Sequence, residues 1–160
     1  MSDMKYTRIA ATIVIAMAFS TTSSSADTIV RRSLGLEAAR KMVAAAVAEA
    51  QRNNWPSTIA VVDESGELLV IERMDDARLA GLNLAAGKAR SAAFFRHPTK
   101  LLEDTINGGR TAQLTAPDMV QMEGGLPIIV DGQVVGAIGV SGETKEHDTL
   151  IAQAAAGIKP

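Results

Sequence analysis

The hydrophobic positions repeat first at helical spacing and then at strand spacing. Apolar residues from Leu36 to Arg52 recur every three or four positions, which predicts an amphipathic helix. Two β-rich runs follow, at Thr58–Val62 and Glu67–Arg73, and the turn residues between them predict a hairpin. A second helix is predicted over about Leu79–Phe95, with a buried stripe made almost entirely of alanine: Leu82, Ala85, Ala86, Ala89 and Ala93.

The second half of the chain repeats this order. We predict a short helix over Thr99–Ile106, a hairpin of Leu126–Val130 and Gln133–Val140, and a last helix over about Lys145–Ile158. Hairpins separated by helices predict an α+β fold of the profilin-like kind, with an antiparallel sheet of about five strands and helices packed against it. Both hairpins carry adjacent apolar residues, so we expect both sheet faces to be covered, by helices of the same chain or by a second subunit of a homo-oligomer.

The first 26 residues have the pattern of a secretory signal. Lys5 and Arg8 precede an apolar run over Ile9–Phe19, and small residues follow up to Ala26. We predict a signal peptide at 1–26 and a single domain at 27–160, located in the periplasm or secreted. The apolar run has about 11 residues where a membrane span needs about 20, so a permanent membrane anchor is not expected.

The amino-acid composition excludes several classes of function. Sixteen basic side chains against 18 acidic ones give a net charge of −2, so no large basic surface is expected and nucleic acid is not an expected partner. The chain has no cysteine, which excludes thiolate nucleophiles and Cys-ligated iron–sulfur clusters. Its two histidines are too few for a three-histidine zinc site within one chain. The sequence also has no hydrolase triad, Walker loop or dinucleotide fingerprint, so no catalytic residue can be identified from these motifs.

A series of short motifs nevertheless occurs in one fixed order over about Leu34–Ile158. They are Leu34-Gly35-Leu36-Glu37-Ala38-Ala39, Ala60-Val61-Val62-Asp63, Glu72-Arg73-Met74-Asp75, Lys88-Ala89-Arg90-Ser91-Ala92, Asn107-Gly108-Gly109-Arg110, Glu123-Gly124-Gly125-Leu126-Pro127 and the hairpin from Asp131 to Ser141-Gly142. Together they resemble the GlcG/HbpS family, formerly a domain of unknown function, which includes the C-terminal domain of the cobalamin adenosyltransferase PduO. The resemblance covers nearly the whole predicted mature chain.

This resemblance implies an α+β homo-oligomer that binds haem. One exported member of the family degrades haem and has a membrane sensor kinase as its partner, and others accompany the breakdown of glycolate or aromatic compounds. We therefore expect an exported haem-binding protein. The alternatives are an enzyme or accessory protein acting on a small carboxylate or an aromatic intermediate, and a ligand sensor without catalytic activity.

The sequence departs from the family's haem-ligating pattern in the first helix. Haem-ligating members have a histidine directly after the Leu-Glu-Ala-Ala segment, where this chain has Arg40. A guanidinium stays protonated and offers no lone pair to iron, but it pairs well with a propionate. A threonine in a later loop is the family's second iron contact, and Thr111 lies near that position.

The remaining candidates for haem are a histidine and two cations. His97 follows Phe94-Phe95 and precedes Pro98, which suits a flat apolar cofactor and makes His97 the candidate iron ligand. The alternative is a helix-terminal histidine that interacts with free carbonyl groups. Arg110 and Lys88, with Arg40, are candidates for the propionates. His147, among the charged residues of the last helix, is expected on a solvated surface.

Overall fold

The computed structural model describes residues 29–157. The chain divides into two units, Met1–Val30 and Arg31–Pro160, and only the last two residues of the first unit are described. The predicted signal peptide at 1–26 lies outside the described residues, as does the predicted end of the last helix at Ile158. In the part of the chain described, every helix is too short or too polar to cross a bilayer.

Helices and strands follow the predicted order. The first half holds α1 (Leu36–Asn53), β1 (Thr58–Asp63), β2 (Leu68–Arg73) and α2 (Gly81–Phe95). The second half holds α3 (Thr99–Asn107), a 3₁₀ segment (Thr111–Thr115), β3 (Gly125–Val130), β4 (Gln133–Ser141) and α4 (Lys145–Ala156).

The four strands form one antiparallel sheet in the order β2-β1-β4-β3. The two hairpins lie side by side because β1 pairs with β4, which places Ala60 opposite Gly139. The α+β, profilin-like fold is therefore confirmed. Within residues 29–157 the sheet has four strands where about five were predicted, because the two hairpins supply all the strand pairing.

Alternate residues of the central strands face opposite sides of the sheet and contact different helices. Ile59 and Val61 of β1 belong to a large core cluster that includes buried residues of α1 and α4. Val62 of β1 and Ala137 of β4 instead contact the alanines of α2. Because side chains alternate across a strand, α1 and α4 lie on one face and α2 lies on the other. Both faces are thus covered within one protomer.

The contact between α2 and the sheet depends on small residues. Ala85, Ala89 and Ala93 are buried as the alanine stripe predicted, Ala86 is only partly buried, and the prediction is wrong for Leu82, which is 41% exposed. Leu82 is exposed because the preceding residue, Gly81, contacts the sheet. A Cβ on Gly81 would lie 2.6 Å from the Thr58 hydroxyl on β1. Gly81 therefore faces the sheet, and the next residue turns toward solvent.

Candidate functional site

A cleft of about 390 Å³ lies beside the end of the sheet. Its residues come from α2 and the segment just before it, from α3, from the loop before β3, and from the start of α4 with the turn that joins it to β4. Apolar and charged side chains both line it: Leu84, Lys88, Glu103, Met122, Glu123, Lys145 and Asp148. The cleft is within the size range of small-molecule sites.

A buried ion pair joins two helices at this cleft. Lys88 of α2 is 2% exposed, and its Nζ lies 2.7 Å from Asp148 Oδ2 on α4. The same ammonium donates to the Val140 carbonyl oxygen at 2.9 Å, and Asp148 Oδ1 accepts the Gly142 N–H at 2.6 Å. Burial raises the pKa of the Asp148 carboxyl, while Lys88 and the Gly142 N–H favour its ionised form. Lys88 thus connects helices from opposite sheet faces around the start of β3.

Gly124 allows the backbone to pass close to this ion pair. Its φ is +116°, a conformation that favours glycine. A Cβ there would lie 2.8 Å from Asp148 Cβ and 3.0 Å from Lys88 Nζ. Glycine at position 124, just before β3, is therefore required both by backbone conformation and by the packing of the charged pair.

A second group of charges forms the outer wall of the cleft. Glu103 of α3 accepts the Glu123 N–H at 2.6 Å and the Lys145 ammonium at 2.9 Å. Glu123 accepts the Thr149 hydroxyl at 3.0 Å and lies 3.7 Å from the Lys145 ammonium. These contacts fix α3 and the loop before β3 to the N-terminal half of α4.

Glu103 gives this wall a testable pH dependence. Burial opposes ionisation, but the Glu123 N–H and Lys145 together lower the pKa of Glu103 below its ordinary value of 4.5. A carboxyl with a lowered folded-state pKa stabilises the fold above its unfolded pKa, and this contribution is lost as the pH falls through the folded pKa. Wild type should therefore lose more stability than Glu103→Gln between about pH 5 and pH 3.

The difference should be below about 1 kcal/mol, because Lys145 is half-exposed and solvent screens the pair. Urea unfolding at a series of pH values measures it. Glu72→Gln removes an exposed carboxyl of β2, outside this network, and controls for the loss of one charge. Parallel pH profiles for wild type and Glu103→Gln would contradict the assignment.

The predicted iron ligand lies at the other end of α2. His97 is exposed and follows Arg96, whose left-handed φ of +56° ends the helix. Phe94 and Phe95 beside it are 50% and 37% exposed. An accessible imidazole can bind haem iron and exposed phenyl rings can contact a porphyrin, so the residue types present are compatible with that cofactor. Within residues 29–157, no three His, Cys, Asp or Glu side chains group into a metal site.

The other predicted haem contacts are dispersed. Arg40 is exposed on α1, pairs with Glu37 at 2.7 Å, and lies across the sheet from α2 and His97. Arg110 and Thr111 are exposed at the start of the 3₁₀ segment, beyond the far end of α3 from His97. Lys88 alone of this set lines the cleft, with its charge engaged by Asp148. One protomer therefore does not bring Arg40 and His97 together.

Sequence reasoning missed Asp148 and misplaced His147. The imidazole of His147 is half-buried and stacks on Trp55, with ring centroids 3.8 Å apart and an angle of 11° between the planes. Its Nδ1 is buried and has no hydrogen-bond partner, so the prediction of a solvated surface is wrong. The available signal was helical spacing, because Asp148 shares the buried face of α4 with Ile151, Ala152 and Ala155.

Comparison with known proteins identifies the family to which this chain belongs. The family described as "Haem degrading protein HbpS-like" matches residues 34–157, and this chain belongs to it. The resemblance found in the motifs is thereby confirmed. Protein GlcG of Escherichia coli K12 is 47% identical over 108 residues, which are 68% of this chain and 81% of GlcG. The corrinoid adenosyltransferase PduO of Salmonella typhimurium is 33% identical over 119 residues, 72% of this chain and 35% of PduO.

Two solved structures share the fold over most of the chain. A double mutant of HbpS from Streptomyces reticuli has a TM-score of 0.77 and 31% identity, and the match covers 92% of this chain and 97% of HbpS. A PduOC–haem complex has a TM-score of 0.70 and 32% identity, covering 78% of this chain and 93% of PduOC. Haem is thus bound by a protein with the same fold.

Proposed function

We propose that this protein is an exported haem-binding protein that acts as a homo-oligomer. The observation that carries the proposal is the PduOC–haem complex, because that haem protein shares both fold and nearly a third of its sequence with this chain. Membership of a family described as haem-degrading supports the same ligand. Bound haem would supply the redox chemistry of any haem breakdown, and the protein would bind and orient it.

In this proposal His97 binds the iron, and Arg110 or a cation of a neighbouring protomer holds the propionates. His97 is accessible, and Phe94 and Phe95 offer apolar surface to the flat ring. Arg110 is an exposed guanidinium beyond α3, and Thr111 is next to it. Arg40 lies on the opposite side of the sheet, so its contribution to the same haem would come from a neighbouring protomer.

Exposed apolar residues support the homo-oligomer. Large side chains on α2, α3 and the 3₁₀ segment are about half exposed or more, as are residues of both edge strands: Leu68, Phe94, Leu101, Leu114 and Ile129. Apolar surface of this kind is typical of interfaces between subunits. Export rests on the pattern of residues 1–26. The membrane sensor partner stays a prediction that no described residue tests.

A haemin titration tests the proposal. Stoichiometric haemin added to the purified protein should give a Soret band that is shifted from that of free haemin. His97→Ala should abolish the shift, or weaken haemin binding at least about tenfold, because the imidazole supplies the iron bond. His147→Phe keeps a ring to stack on Trp55 and removes the other imidazole, so it serves as the matched control.

The outcomes distinguish whether the protein binds haem from whether His97 binds the iron. A spectrum identical to that of free haemin would contradict haem binding. A shifted band that His147→Phe abolishes and His97→Ala preserves would retain haem and overturn the role of His97. Size-exclusion chromatography with light scattering on the same samples measures the oligomeric state, and a monomer at working concentration would contradict the proposed assembly.

A further inference from the structure

Arg96, directly after α2, has a backbone conformation that arginine rarely adopts. Its φ is +56° and its ψ is +31°, which is the left-handed region. Within residues 29–157, the other residues with positive φ are of types that adopt this region at little cost. They are Asn54, Asp76, Asp118, Asp131, Gly66, Gly109, Gly124 and Gly132. Arg96 is the exception, so its backbone conformation lowers the stability of the fold relative to glycine.

Helix capping compensates for this cost less well than it does at α1. After α1, the N–H groups of the left-handed Asn54 and of Trp55 donate to carbonyl oxygens of the last turn at 3.2 and 2.9 Å. In the described part of the chain, neither the Arg96 N–H nor the His97 N–H makes such a close bond at the end of α2. Capping bonds therefore do not account for a left-handed arginine at this position.

The charge of Arg96 is also unused within the described residues. Its side chain is exposed, and it makes no ion pair and no hydrogen bond with residues 29–157. The cations on either side in the sequence are engaged, because Arg90 donates to the Gly66 carbonyl oxygen at 3.3 Å and Lys100 pairs with Asp104 at 2.8 Å. An arginine that costs stability and contacts no other side chain through its charge is a candidate for a binding function.

We infer that Arg96 binds one propionate of the haem whose iron is bound by His97. This inference rests on the proposed function, because it takes His97 as the iron ligand. Arg96 and His97 are adjacent, with Cα atoms about 3.8 Å apart, and the exposed rings of Phe94 and Phe95 precede them. A guanidinium binds a carboxylate through two parallel hydrogen bonds. Haem carries two propionates, so this contact leaves the other for Arg110 or a neighbouring protomer.

Arg96→Gly should change stability and haemin affinity in opposite directions. In urea unfolding of the haem-free protein, the midpoint should rise by about 0.3–0.5 M, because glycine adopts positive φ without steric cost. In a titration followed by the Soret band, haemin should bind the variant about threefold to fivefold more weakly than wild type, which is the loss expected for one exposed ion pair. A residue with a purely structural role would not combine higher stability with lower affinity.

Three controls connect the loss of affinity to the propionate. Haemin with both propionates converted to methyl esters should bind wild type and Arg96→Gly equally, because it offers no carboxylate. Arg96→Asn tolerates positive φ without the added flexibility of glycine, so it should weaken haemin binding as Arg96→Gly does. Arg96→Lys keeps a cation and should retain most of the affinity. Arg73→Gln removes an exposed arginine at the opposite end of β2 from Gly66, and it should bind haemin like wild type.

Equal haemin affinity for wild type and Arg96→Gly would overturn the inference and leave the proposed function intact. An equal loss for haemin and its diester would also overturn it, because Arg96 would then act on the position of His97 and not on a carboxylate. A lower urea midpoint for Arg96→Gly would contradict the cost of the left-handed arginine. If wild type leaves the spectrum of free haemin unchanged, the proposed function fails and this inference fails with it.

Discussion

Lys88→Met should lower the free energy of unfolding by about 3–5 kcal/mol, because it leaves the Asp148 carboxylate buried without its partner. The loss should shrink as the pH falls. Removing the ammonium raises the folded-state pKa of Asp148 further above its unfolded value. The loss of stability is therefore complete above the folded-state pKa, and it becomes smaller as Asp148 is protonated at lower pH. Urea unfolding followed by the fluorescence of Trp55, the only tryptophan, measures both effects.

Two controls separate the buried pair from the general loss of a lysine. Lys88→Met/Asp148→Asn should recover at least half of the lost stability, because the asparagine side chain carries no charge and its amide oxygen can still accept the Gly142 N–H. Lys100→Met breaks an exposed ion pair with Asp104, so it should cost far less stability than Lys88→Met. Equal losses for Lys88→Met and Lys100→Met would show that the buried pair does not contribute to stability as proposed.

The fold could be predicted from sequence largely because each element carries its own local signal. The helical spacing over Leu36–Arg52 places α1 within one residue of its observed end at Asn53. The turn Asp131-Gly132 likewise fixes the hairpin of β3 and β4. The order of the strands could not be predicted in this way, because the pairing of β1 with β4 joins residues about 80 apart and leaves no local pattern.

The cleft shows why a site is harder to predict than a fold. Lys88 could be singled out as a cation, but its carboxylate partner lies 60 residues later and its second acceptor is a backbone carbonyl. Asp148 stands in a run of charged residues that is typical of a solvated face, and only its spacing from Ile151 marks it as buried. His97 could be singled out from the sequence because its aromatic neighbours are adjacent in the chain, and its role as an iron ligand stays a prediction.

Gly139→Ala should lower the free energy of unfolding by about 3 kcal/mol, because no space exists for a methyl group between β4 and α2. An added Cβ would press against the Ala85 carbonyl oxygen and lie 2.5 Å from the Ala89 nitrogen, where real Cβ contacts stay above 3.0 Å. Both are backbone atoms of α2, so rotation of a side chain cannot relieve the clash. The helix would have to move away from the face of the sheet that it covers.

Gly157→Ala is the matched control for this effect. Gly157 follows α4 with a φ of −72°, and its nearest contact to an added Cβ is 3.7 Å, so alanine there should change stability by less than about 1 kcal/mol. Gly139 is not among the glycines with positive φ, so its sensitivity would be steric and independent of backbone conformation. If Gly139→Ala were as stable as Gly157→Ala, the close contact between α2 and β4 would not be required for folding, and the alanine stripe would need another explanation.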